Sequence, residues 1–357
     1  MIQPAKGFSL IEVMVALVIG MIAVIVVMQV ARLAEGQKRT TTGSGNAQSN
    51  AALAMYTIQR DVKQAGYGMT SRGVFGCPLT LREGITLTAL APVTINSADV
   101  VAGDANTDTL LVVYGGSAGT PEGDTIVSTG AVGTKDVDQR IGITSPANFR
   151  VGEYVFAAPK APTNGCALTM NAITDVAATS ITVPGIGATE GMSLFGFGPR
   201  PRIVAYAIRS GNLTMCDYMQ ANCSAECTAG NTTCNASWAI IAQGIVSLRA
   251  QYGRDATAPI DGSVDTWDQT APVQATPANQ EVYAGAWAAI SAVRLALVTR
   301  NDQPERDVVT SAQPTWTGNT GAAINLKKDD NDVTWQKFRY QVYEAVVPLR
   351  NLPWMGS

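Results

Sequence analysis

The stretch Lys6-Gly7-Phe8-Ser9-Leu10-Ile11-Glu12 opens an apolar run that continues unbroken to Met28, with Glu12 as its single charge. As a helix, Phe8 to Met28 would be about 31 Å long, matching the hydrocarbon core of a bilayer. An ordinary secretory signal has a shorter apolar region, about 7–15 residues, followed by a small-residue cleavage site, and this run fits neither. A plain membrane anchor accounts for the length but leaves Glu12 unexplained. A carboxylate at the centre of a spanning helix costs about 2.5–3.5 kcal/mol on insertion scales, so one that is kept points to a role.

Composition narrows the remaining classes. The chain has 357 residues, six cysteines and no histidine, 46% hydrophobic and 15% charged residues, and a formal net charge of -3. Without histidine there is no Ser-His-Asp or Cys-His pair and no imidazole metal ligand. No local motif marks Ser/Lys or paired-carboxylate catalysis, and the glycines form no Walker A loop. The acidic balance offers no general attraction to nucleic acid, so no nucleic-acid partner is expected. The charged fraction lies well below the roughly 25% of a typical soluble domain. Glycine, alanine and threonine take its place, as in an exported, β-rich protein with many turns.

The opening residues resemble the class III signal of type IV pilins and pseudopilins: glycine, phenylalanine, and glutamate four residues further on, ahead of an apolar helix. The resemblance implies cleavage between Gly7 and Phe8 by a prepilin peptidase on the cytoplasmic face of the inner membrane, followed by N-methylation of Phe8. Residues 1–7 are then a leader and residues 8–28 the transmembrane part of the N-terminal helix. The resemblance also gives Glu12 a task in assembly. The freed amino group of Phe8 is cationic at neutral pH, and Glu12 of one subunit can pair with Phe8 of the next, setting the axial stagger of a helical bundle. Arg32, Lys38 and Arg39 follow the run and only Lys6 precedes it. The positive-inside rule alone would therefore keep the C-terminal part in the cytoplasm. The leader and the cysteines argue for export.

Beyond the run, Ala47, Ala51, Met55, Ile58, Val62 and Ala65 recur at spacings of three and four. This is one face of an amphipathic helix, and it makes residues 29–66 a continuation of the first helix. Gly36, Gly43 and Gly45 predict a bend or frayed stretch at residues 36–46, and Gly66 predicts the stop. From Tyr67 the pattern changes to short apolar runs between Gly, Asn, Asp, Pro and Thr clusters. Residues 109–114 read as a buried strand, and 202–209 and 213–218 as a hairpin around Ser210-Gly211-Asn212. Arg294, Arg339 and Arg350 read as solvated strand charges. The fold class is α+β: a long N-terminal helix, transmembrane half plus amphipathic half, packed on an antiparallel β-rich head formed by residues 67–357.

Three further segments resemble PilW-type minor pilins: Thr57 to Tyr67, Trp287 to Arg300, and Phe338 to Asn351. The resemblance implies a pilin-like head and a non-catalytic minor pilin. Such a subunit helps prime type IV pilus assembly and sits at the pilus tip, beside other minor pilins, the major pilin and a tip adhesin. It starts in the inner membrane and moves to the pilus with its head periplasmic or extracellular. The other family with this helix and role is the J-type minor pseudopilin of type II secretion systems.

Cys216, Cys223, Cys227 and Cys234 form a cluster, with Cys77 and Cys166 far upstream. Only Cys223 and Cys227 have a zinc-like spacing, and an exported head favours disulfides. We take Cys77 with Cys166 as one pair and leave the cluster to bridge itself. The sequence does not choose among the connectivities within it. Asp104-Ala-Asn106-Thr-Asp108 reads as a polar turn, since the sixth position of a calcium loop would be glycine and is Thr109. PilW-type chains often carry a calcium-loop-like stretch after a Tyr-Gly pair. Here Tyr252-Gly253 precedes Asp255, Asp261 and Asp265, which makes these three weak calcium candidates. An insert carrying Pro259 breaks the ligand alternation, and no cofactor is otherwise expected.

Overall fold

The computed structural model describes residues 9–69, 71–81, 85–116, 120, 122–131, 138–225, 237–257, 260–329 and 331–352. Helix α1 spans Leu10–Gln64, 55 residues and therefore about 80 Å of continuous helix. Its membrane-length part, Leu10–Ala31, has a mean hydropathy of 3.0 and is wholly outside the head. The expected break at residues 36–46 is absent, and helix runs through Gly36, Gly43 and Gly45. The head supports the upper part of this stretch. Asn301 lies against Gly43, and Gln341 reaches Ser44 at 3.5 Å, so packing offsets the low helix propensity of glycine.

From Ala47 onward α1 has a true inside. Ala47, Ala51, Ala54, Met55, Ile58, Val62 and Ala65 are all buried, while Leu53 and Tyr56 on the far side are exposed. The helix stops where the sequence turns to glycine. Gly66 takes φ +84° and donates its N–H to Val113 O. A Cβ at Gly66 would sit 2.8 Å from Asn351 O, which leaves no room for another residue. Asn351 also donates its side-chain amide toward the last helical carbonyls, at 3.1 Å to Gln64 O and 3.3 Å to Ala65 O. Carbonyls that every helix end leaves open are thus satisfied from the other end of the chain.

Among the described residues three sheets build the head. A four-stranded antiparallel sheet carries α1, with spatial order Thr266–Asp268, Ile245–Arg254, Ile290–Arg300, Tyr340–Pro348. A five-stranded antiparallel sheet runs Ala239–Gln243, Asn212–Asp217, Arg202–Arg209, Leu110–Tyr114, Val93–Ile95. Every residue of Leu110–Tyr114 is buried. The turn between Arg209 and Asn212 uses Ser210 at φ 51° and Gly211 at φ 70°. Two positive φ values in a two-residue loop match the twist of the strands they join. The third sheet has nine short strands, all antiparallel except for one parallel pair, Leu79–Thr80 with Leu168–Ala172. It encloses a second core around Ile126, Ile141, Val155, Ile181 and Leu194. A second helix, α2 at Gln280–Ala288, is capped by Asn279, whose side chain accepts from Val282 N.

Two disulfides tie the described head, Cys77–Cys166 and Cys216–Cys223. They close separations of 89 and 7 residues, which the loop-entropy model values at about 4.5 and about 2.5 kcal/mol. Cys227 and Cys234 lie outside the described residues.

Two readings of charged residues change. Asp108, expected in a polar turn, is buried. It accepts from Arg249 at 2.8 Å, the Ala250 N–H at 2.9 Å, Asn96 at 3.0 Å and Gln269 at 2.6 Å. Four donors offset the cost of removing that carboxylate from water. Arg294, expected to be solvated, lies over Trp267 at 4.7 Å and Trp316 at 5.5 Å and donates to Gln251 at 2.6 Å. Burial lowers its pKa from the ordinary guanidinium value. Arg339 and Arg350 are exposed, and Arg339 pairs with Glu305 at 3.2 Å.

The helix–head packing gives a direct test. Ile58→Ala removes a fully buried side chain from the face of α1 and should lower head stability by about 2–5 kcal/mol. Tyr56→Ala, on the exposed face, should change it by less than about 0.5 kcal/mol. Chemical denaturation of the full-length protein in detergent, followed by near-UV circular dichroism, measures both.

Candidate assembly interface

The free half of α1 is a continuous exposed apolar surface. Leu10, Ile11, Val13, Met14, Leu17 and their successors to Val30 are all about half exposed or more. Glu12 is the only charge between Leu10 and Ala31. It heads a shallow groove along one face of the helix, lined by Val13, Ala16, Leu17, Gly20, Met21 and Val24. Ala16 and Gly20 follow Glu12 at intervals of four, so their small side chains let another helix approach closely beneath the carboxylate. Gly7 and Phe8 lie outside the described residues.

What fixes this arm to its head is a second carboxylate that the sequence reading missed. Asp61 sits between Arg60 and Val62 on the inner face of α1 and is fully buried. Tyr206 Oη donates to it at 2.6 Å and Tyr114 Oη at 3.1 Å, both from the five-stranded sheet. Arg60 adds Nε and Nη2 at 3.1 Å from the half-exposed side. The available signal was an aspartate inside an apolar face defined by Ile58, Val62 and Ala65. Periodicity marks that position as internal without identifying the partners. Burial, then the negative charge of Asp61, pushes the Tyr206 phenol well above the ordinary tyrosine range. The same causes raise Tyr114.

The calcium candidates come together, but around backbone N–H groups. Asp255 accepts from Gly262 N at 2.5 Å and from the Thr257 hydroxyl at 2.9 Å. Asp265 accepts from Ala256 N at 2.8 Å, and Asp261 from Ser263 N at 2.7 Å. Partial desolvation raises the pKa of Asp255, but the hydrogen bonds from Gly262, Thr257 and Asp261 outweigh it and hold the carboxyl below its usual range. Among the described residues no group of three or more Asp, Glu, Cys or His is arranged to hold a metal ion.

Comparison with known proteins agrees with this geometry at both ends of the chain. Residues 3–28, which include the start of the apolar arm and its glutamate, match the model of the prokaryotic N-terminal methylation motif. Residues 205–351, less than half of the chain, match the model of the type IV pilus-assembly protein W. Together the two matches make the chain similar to PilW-type proteins over the C-terminal part of its head and to N-methylated subunits over its arm. No curated protein matches the chain. Among solved structures it is similar to the type IV-like pilin TTHA1219 from Thermus thermophilus, at 11% identity over 85% of this chain and 97% of that one, with a TM-score of 0.33. That likeness is too distant to bear on function.

The buried phenols set a pH limit. Burial raises Tyr206, Tyr218 and Tyr252 in the folded state. Their contribution is fully present below the unfolded tyrosine pKa of about 10. Above it the unfolded chain ionises first, and stability falls by up to about 1.4 kcal/mol per pH unit for each such tyrosine. The tyrosinate absorbance of these three buried groups, over and above that of exposed tyrosines such as Tyr56, should therefore appear together with unfolding on alkaline titration. At neutral pH, Tyr206→Phe should cost about 1–3 kcal/mol by leaving Asp61 short of a donor, and it should flatten the alkaline slope by one group.

Proposed function

We propose that this protein is a non-catalytic minor pilin that primes type IV pilus assembly and resides in the tip complex. The observation that carries this reading is the exposed arm Leu10–Ala31, with one carboxylate near its start, projecting from a head far larger than the arm. In the membrane an unpaired Glu12 is unfavourable, and docking against the methylated Phe8 amino group of a neighbouring subunit relieves it. Relief of that charge drives docking, and the groove of small residues below it admits the neighbour's helix. The head then selects which subunits sit beside it, the major pilin, other minor pilins and a tip adhesin among them. A bulky head is tolerated more easily at a tip than at each repeat of a shaft. Processing requires a prepilin peptidase, the start is in the inner membrane, and the head ends outside it.

Glu12→Ala should leave the protein in the membrane fraction at normal level and remove it from sheared pili. Equal recovery in the pili would overturn the role given to Glu12. Mass spectrometry of the wild-type pilus fraction should find a mature chain beginning at N-methylated Phe8. Deletion of the gene should abolish surface pili; loss of enzyme secretion with pili intact would assign the protein to a type II secretion system instead.

A further inference from the structure

A cavity of about 840 Å³ opens at the end of the head where the Ser210-Gly211 turn meets residues 325–338. That volume lies within the roughly 300–1,000 Å³ of small-molecule sites. Its lining gathers four cations, Arg300, Lys327, Lys328 and Lys337, in a chain whose net charge is -3. None of the four forms an ion pair among the described residues. Two carboxylates share the lining, and each is engaged with the backbone. Asp104 accepts from Ser210 N at 2.9 Å and Gly211 N at 2.8 Å. Asp332 accepts from the Thr334 hydroxyl at 2.5 Å and from Lys328 N at 3.0 Å. These bonds, with help from the nearby Lys328 charge, hold the Asp332 carboxyl below its usual range and ionised.

The cations are mounted on fixed backbone. Arg300 N donates to Gly244 O at 3.0 Å, and Glu305 N donates to Lys337 O at 2.7 Å. Asn106 donates to Lys327 O at 3.1 Å. With the main chain anchored, only the charged side chains remain to be ordered on binding. One wall is aromatic. Phe338 carries the Arg300 guanidinium on one face at 4.5 Å, and Tyr340 is held by donating to Trp335 O at 3.0 Å. Beside this wall stand the hydrogen-bonding side chains of Ser210, Asn325 and Thr334.

We propose that this cavity binds an acidic oligosaccharide, with Arg300, Lys327, Lys328 and Lys337 meeting its carboxylates and the Phe338–Tyr340 wall packing against its rings. A flat apolar wall next to many small polar groups suits a ligand that is hydroxyl-rich at its edge and apolar on its face. An acidic peptide would instead use a strand edge or an apolar side-chain hole. The assignment stands apart from the pilus-tip reading, because it is measured on the purified protein.

The test titrates full-length protein in neutral detergent with trigalacturonate, its uncharged counterpart galactotriose, and triglutamate. Calorimetry is the readout, with tryptophan fluorescence in support because Trp335 lines the cavity. Trigalacturonate should bind saturably, more weakly as salt rises, and at least tenfold more tightly than either comparison ligand. Lys327→Gln with Lys337→Gln should lose at least tenfold, and Lys160→Gln, outside the cavity, should lose nothing. If the double variant fails to fold by circular dichroism, Lys328→Gln, an exposed single change, should still weaken binding severalfold. Absence of saturable binding, or equal affinity for galactotriose, would overturn the site. Equal affinity for triglutamate would overturn the sugar assignment in favour of an acidic peptide.

Discussion

Asp61 is removed from solvent at the seam between α1 and the five-stranded sheet, and the rest of the molecule is arranged around that burial. A lone carboxylate there would cost several kcal/mol, yet two phenols and a guanidinium converge on it. Apolar packing alone would let α1 slide or roll, because the alanines and aliphatic residues of its inner face are nearly interchangeable in shape. The two directed hydrogen bonds from Tyr206 and Tyr114 across the seam remove that freedom. The rotation of α1 at Asp61 also sets the direction in which Glu12 points, some 49 residues away along a continuous helix. The orientation of Glu12 thus begins at a polar contact deep in the head.

The same helix has to satisfy two surroundings. Below Ala31 every side is apolar and uncovered apart from Glu12, the pattern of a helix with no core of its own to face. Above Ala47 one side is apolar and the other polar, because one side meets a sheet and the other meets water. Between them lies a stretch with three glycines, which would fray in isolation. It remains helical because the loop at Asn301 and the strand at Gln341 rest against its upper part.

Elements governed by local rules could be read from the residues. The apolar run, the three-four spacing from Ala47 to Ala65, the stop at Gly66 and the tight turn at Ser210-Gly211 each rest on a pattern within a few positions. The contacts that could not be read join residues distant in sequence. Asp61 meets Tyr206 across 145 positions, Asp108 meets Arg249 across 141, and Asn351 meets Gln64 across 287. Arg294 was misread for the same reason. Its position on an alternating strand suggests solvent, while the tryptophans that cover it come from the short strand Thr266–Asp268 and from a later loop at Trp316. On the free arm, Glu12 was conspicuous in the sequence from its isolation among apolar residues. The clamp that orients it was not, because a buried aspartate looks like any other aspartate until its donors are placed.

The seat of α1 is made by residues far along the sequence. Two strands of the sheet that carries it are Ile290–Arg300 and Tyr340–Pro348, and Asn351, which closes its C-terminal carbonyls, follows Gln64 by 287 positions. The inner face of α1 therefore has no partner until these distant segments fold back onto it. A chain truncated before Ile290 would keep the apolar arm and lose both strands that seat it. The wrapping of distant residues onto the first helix thus makes a folded head the condition for a fixed direction of the arm.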